Sequence, residues 1–416
     1  MSTALVLAGG GARGAYEAGA LSVLLPELES RGERPDIYVG TSVGALNASM
    51  LAASQHLPAE EAVARLVEVW SDLSKDQVIR PILRRQGPLA IMRYTGELLS
   101  VPGMRLQSIL DPEPLRRNLG GWIDWEQLGR NVDDGLVASI GTVATSARTG
   151  RSVVFVQEHE PRFHHRSHAV AYVATRIGAE HVLASAAIPL LFPPIEVTEP
   201  SHARGWYVDG GTRLNTPIKP ALDLGAERLV VVACDSIAGP VMEPGAEDDD
   251  TPPDIGDGVL HLLEGALVDP LIEDMRTLGN INAFFTDESA IGARLYRSAR
   301  GKAPYQRVPY VFVGTERRGA VGELAARVFA EQYGGWRGVV RSVDFQLISR
   351  LIGDNSATHG ELLSLLFFDR DFTRELMALG VADAERWLDA PHDMDDGPWQ
   401  EGPLSTFVLP RQWTAG

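Results

Sequence analysis

The chain has one cysteine, Cys234, in 416 residues. A lone thiol excludes an internal disulfide framework and any metal or cluster site built from several cysteines. Long apolar runs are missing as well. The greasiest stretch, Leu362 to Phe368, ends at Asp369, well short of the roughly 18 residues that read as a membrane span. The first residues lack a basic region and the run Ala4 to Ala8 stops at glycines, so no secretory signal is expected and a cytoplasmic location is. Positive charge is scarce: 38 Lys and Arg face 55 Asp and Glu, for a net charge of −17. That balance argues against a general nucleic-acid binder and against electrostatic capture by an anionic membrane. No internal repeat occurs at solenoid periods. What the chain does have is 44% hydrophobic and 22% charged residues, the composition of a folded core rather than of disorder.

The first fifty residues read as strand, turn, helix, strand, turn, helix. Ala4 to Ala8 is a short continuous apolar run, suited to a strand buried on both faces of a parallel sheet. After the glycines, Ala18, Leu21, Leu24, Leu25 and Leu28 recur at helical spacing within Ala15 to Leu28. Asp36 to Gly40 is a second strand, and Val43 to Ala53 is the small-residue sequence of a buried helix. The pattern turns irregular from Ser71 to Trp125. Within it, Arg80 to Arg93 holds four arginines and no acid among apolar residues, which reads either as a lid or lipid-contact surface or as a helix with a solvated basic face. Further strands are expected at Gly135 to Thr145, Ser152 to Gln157, Trp206 to Val208, Leu229 to Ala233 and Tyr310 to Val313. Glu243 to Asp257 carries seven acids and no base, so 240–258 is expected to be a mobile surface loop. Val259 to Leu278 reads as helix with a break at Pro270. Ala320 to Leu388 is mostly helical, including Phe372 to Leu379 and Ala382 to Leu388.

Three turns hold residues that carry chemistry. Gly9-Gly10-Gly11-Ala12-Arg13-Gly14 joins a strand to a helix, where open backbone N–H groups and the helix dipole favour an anion. Gly9, Gly11 and Gly14 also satisfy the dinucleotide pattern, but the second strand ends in Gly40-Thr41-Ser42 and lacks the acidic residue that would hold a ribose. Gly40-Thr41-Ser42-Val43-Gly44 matches G-x-S-x-G between a buried strand and a small-residue helix. That setting lifts a serine oxygen out of a sheet, while the plainer reading is a serine capping the helix. Asp209-Gly210-Gly211 puts an acid at a strand end, as a base for the serine or as an ordinary Asp-Gly turn. His164, His165 and His168 lie between Ser42 and Asp209. His261 and His359 follow both, in the order of an α/β-hydrolase triad, though neither has a neighbourhood that recommends it.

Together these three motifs resemble the patatin-like phospholipases. The resemblance extends to Ala144-Thr145, to Ala184-Ser185-Ala186-Ala187-Ile188-Pro189 with Phe192-Pro193-Pro194, and to Asn215 and Pro217. It spans about residues 4 to 235 in the family's order. It implies a serine–aspartate dyad of Ser42 and Asp209, working without histidine beside an oxyanion hole from the first turn. The fold expected is a three-layer α/β/α patatin-like domain with a mainly parallel sheet over 1–320, followed by a helical C-terminal extension over 321–416.

On this reading Ser42 is the nucleophile and Asp209 the base. Gly10, Gly11 and Ala12 supply oxyanion N–H groups with Val43 as a fourth candidate, and Gly9, Arg13, Gly14, Gly40, Gly44, Gly210 and Gly211 support the turns. Partial desolvation is what would make an aspartate basic enough. The Arg13 side chain either attracts an anionic substrate or pairs with an acid. The expected reaction is hydrolysis of a lipid carboxylic ester through an acyl-serine, with no metal or cofactor, no nucleic acid, and transient membrane contact. The competing class is a non-catalytic or effector-gated anion- or nucleotide-binding protein that uses the glycine turn alone.

Overall fold

The computed structural model describes residues 1–81, 110–161, 170–189, 191–234, 236, 269–284, 295, 307–333, 357–394 and 397–404. The chain opens with β1 (Thr3–Leu7), α1 (Gly14–Ser30), β2 (Ile37–Thr41), α2 (Val43–Ala53), α3 (Ala59–Asp72), α4 (Lys75–Val78) and β3 (Arg80–Pro81). It continues through β4 (Leu110–Asp111), α5 (Glu113–Trp122), α6 (Trp125–Asp133), β5 (Ser139–Ser146), β6 (Ser152–Glu158), β7 (Val170–Ala174) and α7 (Ala179–Ser185). Then come β8 (Ile195–Val197), β9 (Gly205–Asp209), α8 (Ile218–Asp223), β10 (Arg228–Val232) and α9 (Asp269–Phe284). The last are β11 (Tyr310–Val313), α10 (Ala320–Tyr333), α11 (Ala357–Leu366) and α12 (Arg370–Asp389).

Seven strands lie in the order β11-β10-β1-β2-β5-β6-β7, and β9 with β8 attaches beside β5. From β11 to β5 all neighbours are parallel, whereas β6 and β9 run antiparallel to β5. The expected α/β fold with a mainly parallel sheet is therefore the observed one. Its three layers follow from strand alternation. Leu5 and Leu7 of β1, Tyr38 of β2 and Val230 and Val232 of β10 face one core, with α1, α2, α3 and the C-terminal helices. Ala4, Val6, Ile37, Val39, Leu229 and Val231 face the other, against Ile218, Ala221, Leu271 and Met275 of α8 and α9.

β1 is a topological switch point, because the chain steps to β2 on one side and returns through β10 on the other. Crevices at the C-terminal ends of strands at such points are where α/β sheets take ligands. Both glycine-rich turns emerge there, after β1 and after β2.

The C-terminal helices join the layer that holds α1. α12 crosses α1 so closely that a methyl group on Gly19 would collide with the Met377 carbonyl, and one on Gly380 with the Tyr16 carbonyl. The Tyr16 hydroxyl donates to Asp383 at 2.7 Å across the same contact. α12 is one helix, where the sequence reads two pieces. Pro270 is the second described residue of α9, and residues 259–268, where the sequence reading begins this helix, lie outside the described residues. β7 and β8 are unmarked in the sequence reading, since one is a half-buried edge and the other only three residues long. The acidic segment 240–258, residues 82–93, and His164, His165, His168 and His261 lie outside the described residues, as does the side chain of His359.

Candidate active site

β2 delivers Ser42 at its end with φ 54° and ψ −122°, the only non-glycine residue with positive φ among the described residues. Such a conformation costs on the order of 1–3 kcal/mol and persists only where surroundings enforce it. Here they do. A methyl group on Gly40 would strike the Gly44 carbonyl, and one on Gly44 would strike the carbonyls of Leu7 and Ala8. The Ser42 N–H donates to Ser185 Oγ at 2.7 Å, and that hydroxyl donates onward to the Val143 carbonyl at 2.5 Å. The Ser42 side chain makes no helix-capping hydrogen bond, so the capping reading does not describe it. It faces the Asp209 carboxyl instead, close enough to help lower that group's pKa.

Strand register brings that pair together. β2 ends with Thr41 opposite Val143 of β5, and β6 occupies the other edge of β5 as far as Thr145. The edge that β2 vacates is taken by β9, which sets Asp209 opposite Ala144, one step beyond. Asp209 thus arrives next to the residue that follows Thr41. A methyl group on Gly210 would collide with the Val143 carbonyl, so this approach needs a glycine. The Asp209 carboxylate accepts the Gly211 N–H at 2.7 Å, as an Asp-Gly turn would, and the Ser42 hydroxyl lies near it. Burial pushes the carboxyl up to about 7, against the opposing pull of those two groups.

The turn after β1 touches Ser42: a Cβ on Gly9 would lie 3.2 Å from the Ser42 Cβ. Asn215 pins this turn, accepting the Gly9 N–H through its backbone carbonyl at 3.2 Å and its side-chain oxygen at 3.1 Å. Among the described residues the N–H groups of Gly10, Gly11, Ala12 and Val43 meet no protein acceptor, whereas that of Arg13 is bonded to the Gly10 carbonyl. Gly11 has φ 58°, and the Leu365 carbonyl of α11 fills the space a side chain would need there. The Arg13 side chain is buried and ion-paired with Glu361 of α11. Of its two expected roles, pairing with an acid is the one observed.

Beside Ser42 lies a pocket of about 640 Å³ of atom-free space, part of it open to solvent. Apart from Ser42 and the indoles of Trp70 and Trp122, its lining side chains are wholly apolar, with Leu46, Ile188 and Phe192 among them. Behind the pocket, Trp70 Nε1 donates to Asn47 Oδ1 at 3.0 Å, and Asn47 Nδ2 donates to Glu17 at 2.8 Å and to the Gly14 carbonyl at 3.1 Å. Glu17 is 2% exposed and burial holds its carboxyl well above the usual range. Among the described residues no histidine bonds Ser42 or Asp209. His181 is buried against Phe155 with its ring nitrogens on Gly178 and Glu199, and burial pushes its pKa down.

Ser185 and Asn215 stand in the sequence only as motif matches; their work of holding the elbow and the glycine turn is visible only in three dimensions. Asn47 and Glu17 have no site reading in the sequence at all. Their one signal is polarity within stretches of small and apolar residues in α1 and α2.

A family profile described as patatin-like phospholipase matches residues 5–222. No curated protein matches the sequence. Among solved structures, VipD from Legionella pneumophila is similar at 12% identity and a TM-score of 0.29, over 91% of this chain and 66% of that one. The chain therefore spans just under two thirds of VipD. The ExoU–SpcU complex of the Pseudomonas aeruginosa type III secretion system is similar at 16% identity and a TM-score of 0.27, over 92% of this chain and 75% of that one. With just over half its length matched by one profile, from β1 to the end of α8, the chain belongs to the patatin-like phospholipase family.

Proposed function

We propose that this protein is a serine acyl hydrolase that cleaves carboxylic esters of lipids with a Ser42–Asp209 dyad. The observation that carries the reading is Ser42, strained at an elbow, set beside a buried carboxyl and opening on an apolar pocket. Asp209 takes the Ser42 proton as Oγ attacks the ester carbonyl. The tetrahedral oxyanion is held by N–H groups of Gly10, Gly11, Ala12 and Val43. Each well-placed donor of this kind is worth about 3 kcal/mol. The intermediate collapses as Asp209 returns the proton to the departing alcohol. A water molecule, deprotonated by the same carboxylate, then releases the fatty acid from the acyl-serine. A base with a pKa near 7 suits both proton transfers at neutral pH. The wholly apolar wall favours an acyl chain over a nucleotide, whose phosphates and base would be left without partners there. Family membership supports a lipid ester as the substrate class.

The test is hydrolysis of p-nitrophenyl butyrate and decanoate by wild type, Ser42→Ala and Asp209→Asn, with fluorophosphonate labelling in parallel. Rates in both variants should fall at least about 10³-fold, and label should map to Ser42. Wild-type turnover that survives Ser42→Ala would end the proposal.

A further inference from the structure

The apolar pocket is not built from the family-matched segment alone. One wall consists of Leu365, Leu366 and Phe368, from the end of α11 and the residues that follow it. These lie more than a hundred residues beyond the matched range, which ends at 222. Their placement is tightly determined. The Leu365 carbonyl occupies the space beside Gly11 that only a glycine leaves open. Arg13 Nε donates to Ser364 Oγ at 2.8 Å, and its Nη2 donates to the Glu361 carbonyl at 3.0 Å and to the Glu361 carboxylate. The other carboxylate oxygen of Glu361 accepts the Gly322 N–H of α10 at 3.2 Å. α11 in turn packs against α10 so closely that a methyl group on Gly360 would strike the Gly322 carbonyl. A planar guanidinium held at three points by one helix turn fixes that helix both along and about its axis. The glycine turn and the wall therefore share one rigid frame.

We propose that residues 365–368 gauge the length of the bound acyl chain, and that Arg13 anchors this gauge to the glycine turn rather than receiving a lipid headgroup. The proposal rests on the acyl-hydrolase reading for the orientation of the chain, with its carboxyl end at Ser42. Leu365 is the residue best placed to tune it. It is only partly buried, it lines the pocket, and its exchange leaves the packed Phe367 and Phe372 untouched.

The experiment uses the full chain carrying Ser42→Ala, so that binding is read without turnover. Saturated fatty acids from six to sixteen carbons displace a bound apolar fluorophore, cis-parinaric acid, with Leu365→Ala and Leu365→Phe added in turn. Leu365→Phe should weaken the longer acids about 5-fold relative to hexanoate, and Leu365→Ala should strengthen them by a similar factor, the worth of one to two methylenes. Glu361→Ala, which removes the ion pair and the Gly322 contact from the anchor, should flatten the dependence on chain length. Superimposable profiles for the three Leu365 proteins would overturn the proposal, and so would no displacement by any acid. The same exchanges with Ser42 restored separate the two readings. A profile that shifts in binding while Ser42 stays inert to fluorophosphonate keeps the gauge and removes the hydrolase. Turnover whose chain-length ratio ignores Leu365 keeps the hydrolase and removes the gauge.

Discussion

Among the described residues the turn after β1 leaves three successive backbone N–H groups without acceptors, whereas the turn after β2 leaves one and forces a residue with a side chain into positive φ. Both are strand-to-helix turns at the same end of the sheet, and both are rich in glycine, yet their glycines answer different needs. Around Ser42, Gly40 and Gly44 are required because backbone atoms crowd their Cα positions. In the turn after β1 Gly11 meets the Leu365 carbonyl in the same way, whereas at Gly9 the nearest crowding atom is the side-chain oxygen of Asn215. Each turn also has a buried carboxyl near it, and these differ too. Asp209 faces the Ser42 hydroxyl, while Glu17 meets an amide and no cation among the described residues. The lesson is that one end of a sheet is specialised twice, for charge in one turn and for strain in the other.

The largest effect that tests this contrast comes from Gly44→Ala against Gly9→Ala. The added methyl at Gly44 meets two main-chain carbonyls that belong to β1 and its continuation, so the elbow itself must shift. We expect a loss of about 3 kcal/mol or more in urea denaturation, and no detectable turnover. At Gly9 the methyl displaces Asn215, leaving the fold within about 1–2 kcal/mol of wild type but lowering kcat roughly 10-fold as the glycine turn loses its pin. Equal stability losses in the two variants would erase the distinction between the turns.

Next in size is the titration of Asp209. Only the ionised carboxylate accepts the Ser42 proton, so kcat/KM should rise with pH and level off above about 7. Stability should move the opposite way. A carboxyl raised by folding binds its proton more tightly in the native state, so stability is full below the ordinary aspartate pKa and is lost as pH rises through about 7. Asp209→Asn should therefore be inactive yet more stable than wild type by roughly 2–4 kcal/mol near pH 8, with the gain vanishing near pH 4. Thermal melts across this range decide it. A destabilised Asp209→Asn at pH 8 would mean that the carboxylate is held by attraction, not tolerated for function.

Much of this site is legible in the sequence, and what is legible has a common property. β1, β2, β10 and β11 announce themselves as short apolar runs, and α1 by its leucine spacing, because burial acts on neighbours along the chain. Gly9 to Gly14, Ser42 and Asp209 are readable because turn chemistry is local as well. The partners are not. Arg13 pairs with Glu361, 348 positions away, and Ser42 leans on Ser185, 143 positions away. Nothing in either neighbourhood encodes the other. The juxtaposition of Asp209 with Ser42 is a matter of register, since a one-residue slip of β9 on β5 would turn the carboxyl to the other face of the sheet.

The smallest effect on turnover should come from the second buried carboxyl. Glu17 lies behind the glycine turn rather than in the pocket, and its neighbours are Asn47, which also holds the Gly14 carbonyl, and a backbone hydrogen bond at Ala8. Burial raises its pKa well above the usual glutamate range, the two hydrogen bonds opposing this only in part. Its contribution to stability is therefore full at low pH and lost as pH climbs above the ordinary glutamate pKa toward the native value. Glu17→Gln keeps an oxygen for Asn47 and removes the titration. Turnover should stay within about 3-fold of wild type, and its pH limb should remain that of Asp209. Near pH 8 the variant should be the more stable, but by less than removal of the charge alone would give, because the new amide N–H groups need acceptors in a dry site. A shift in the kcat/KM limb on this exchange would show that the two carboxyls titrate together, and the contrast between a working acid and a structural one would collapse.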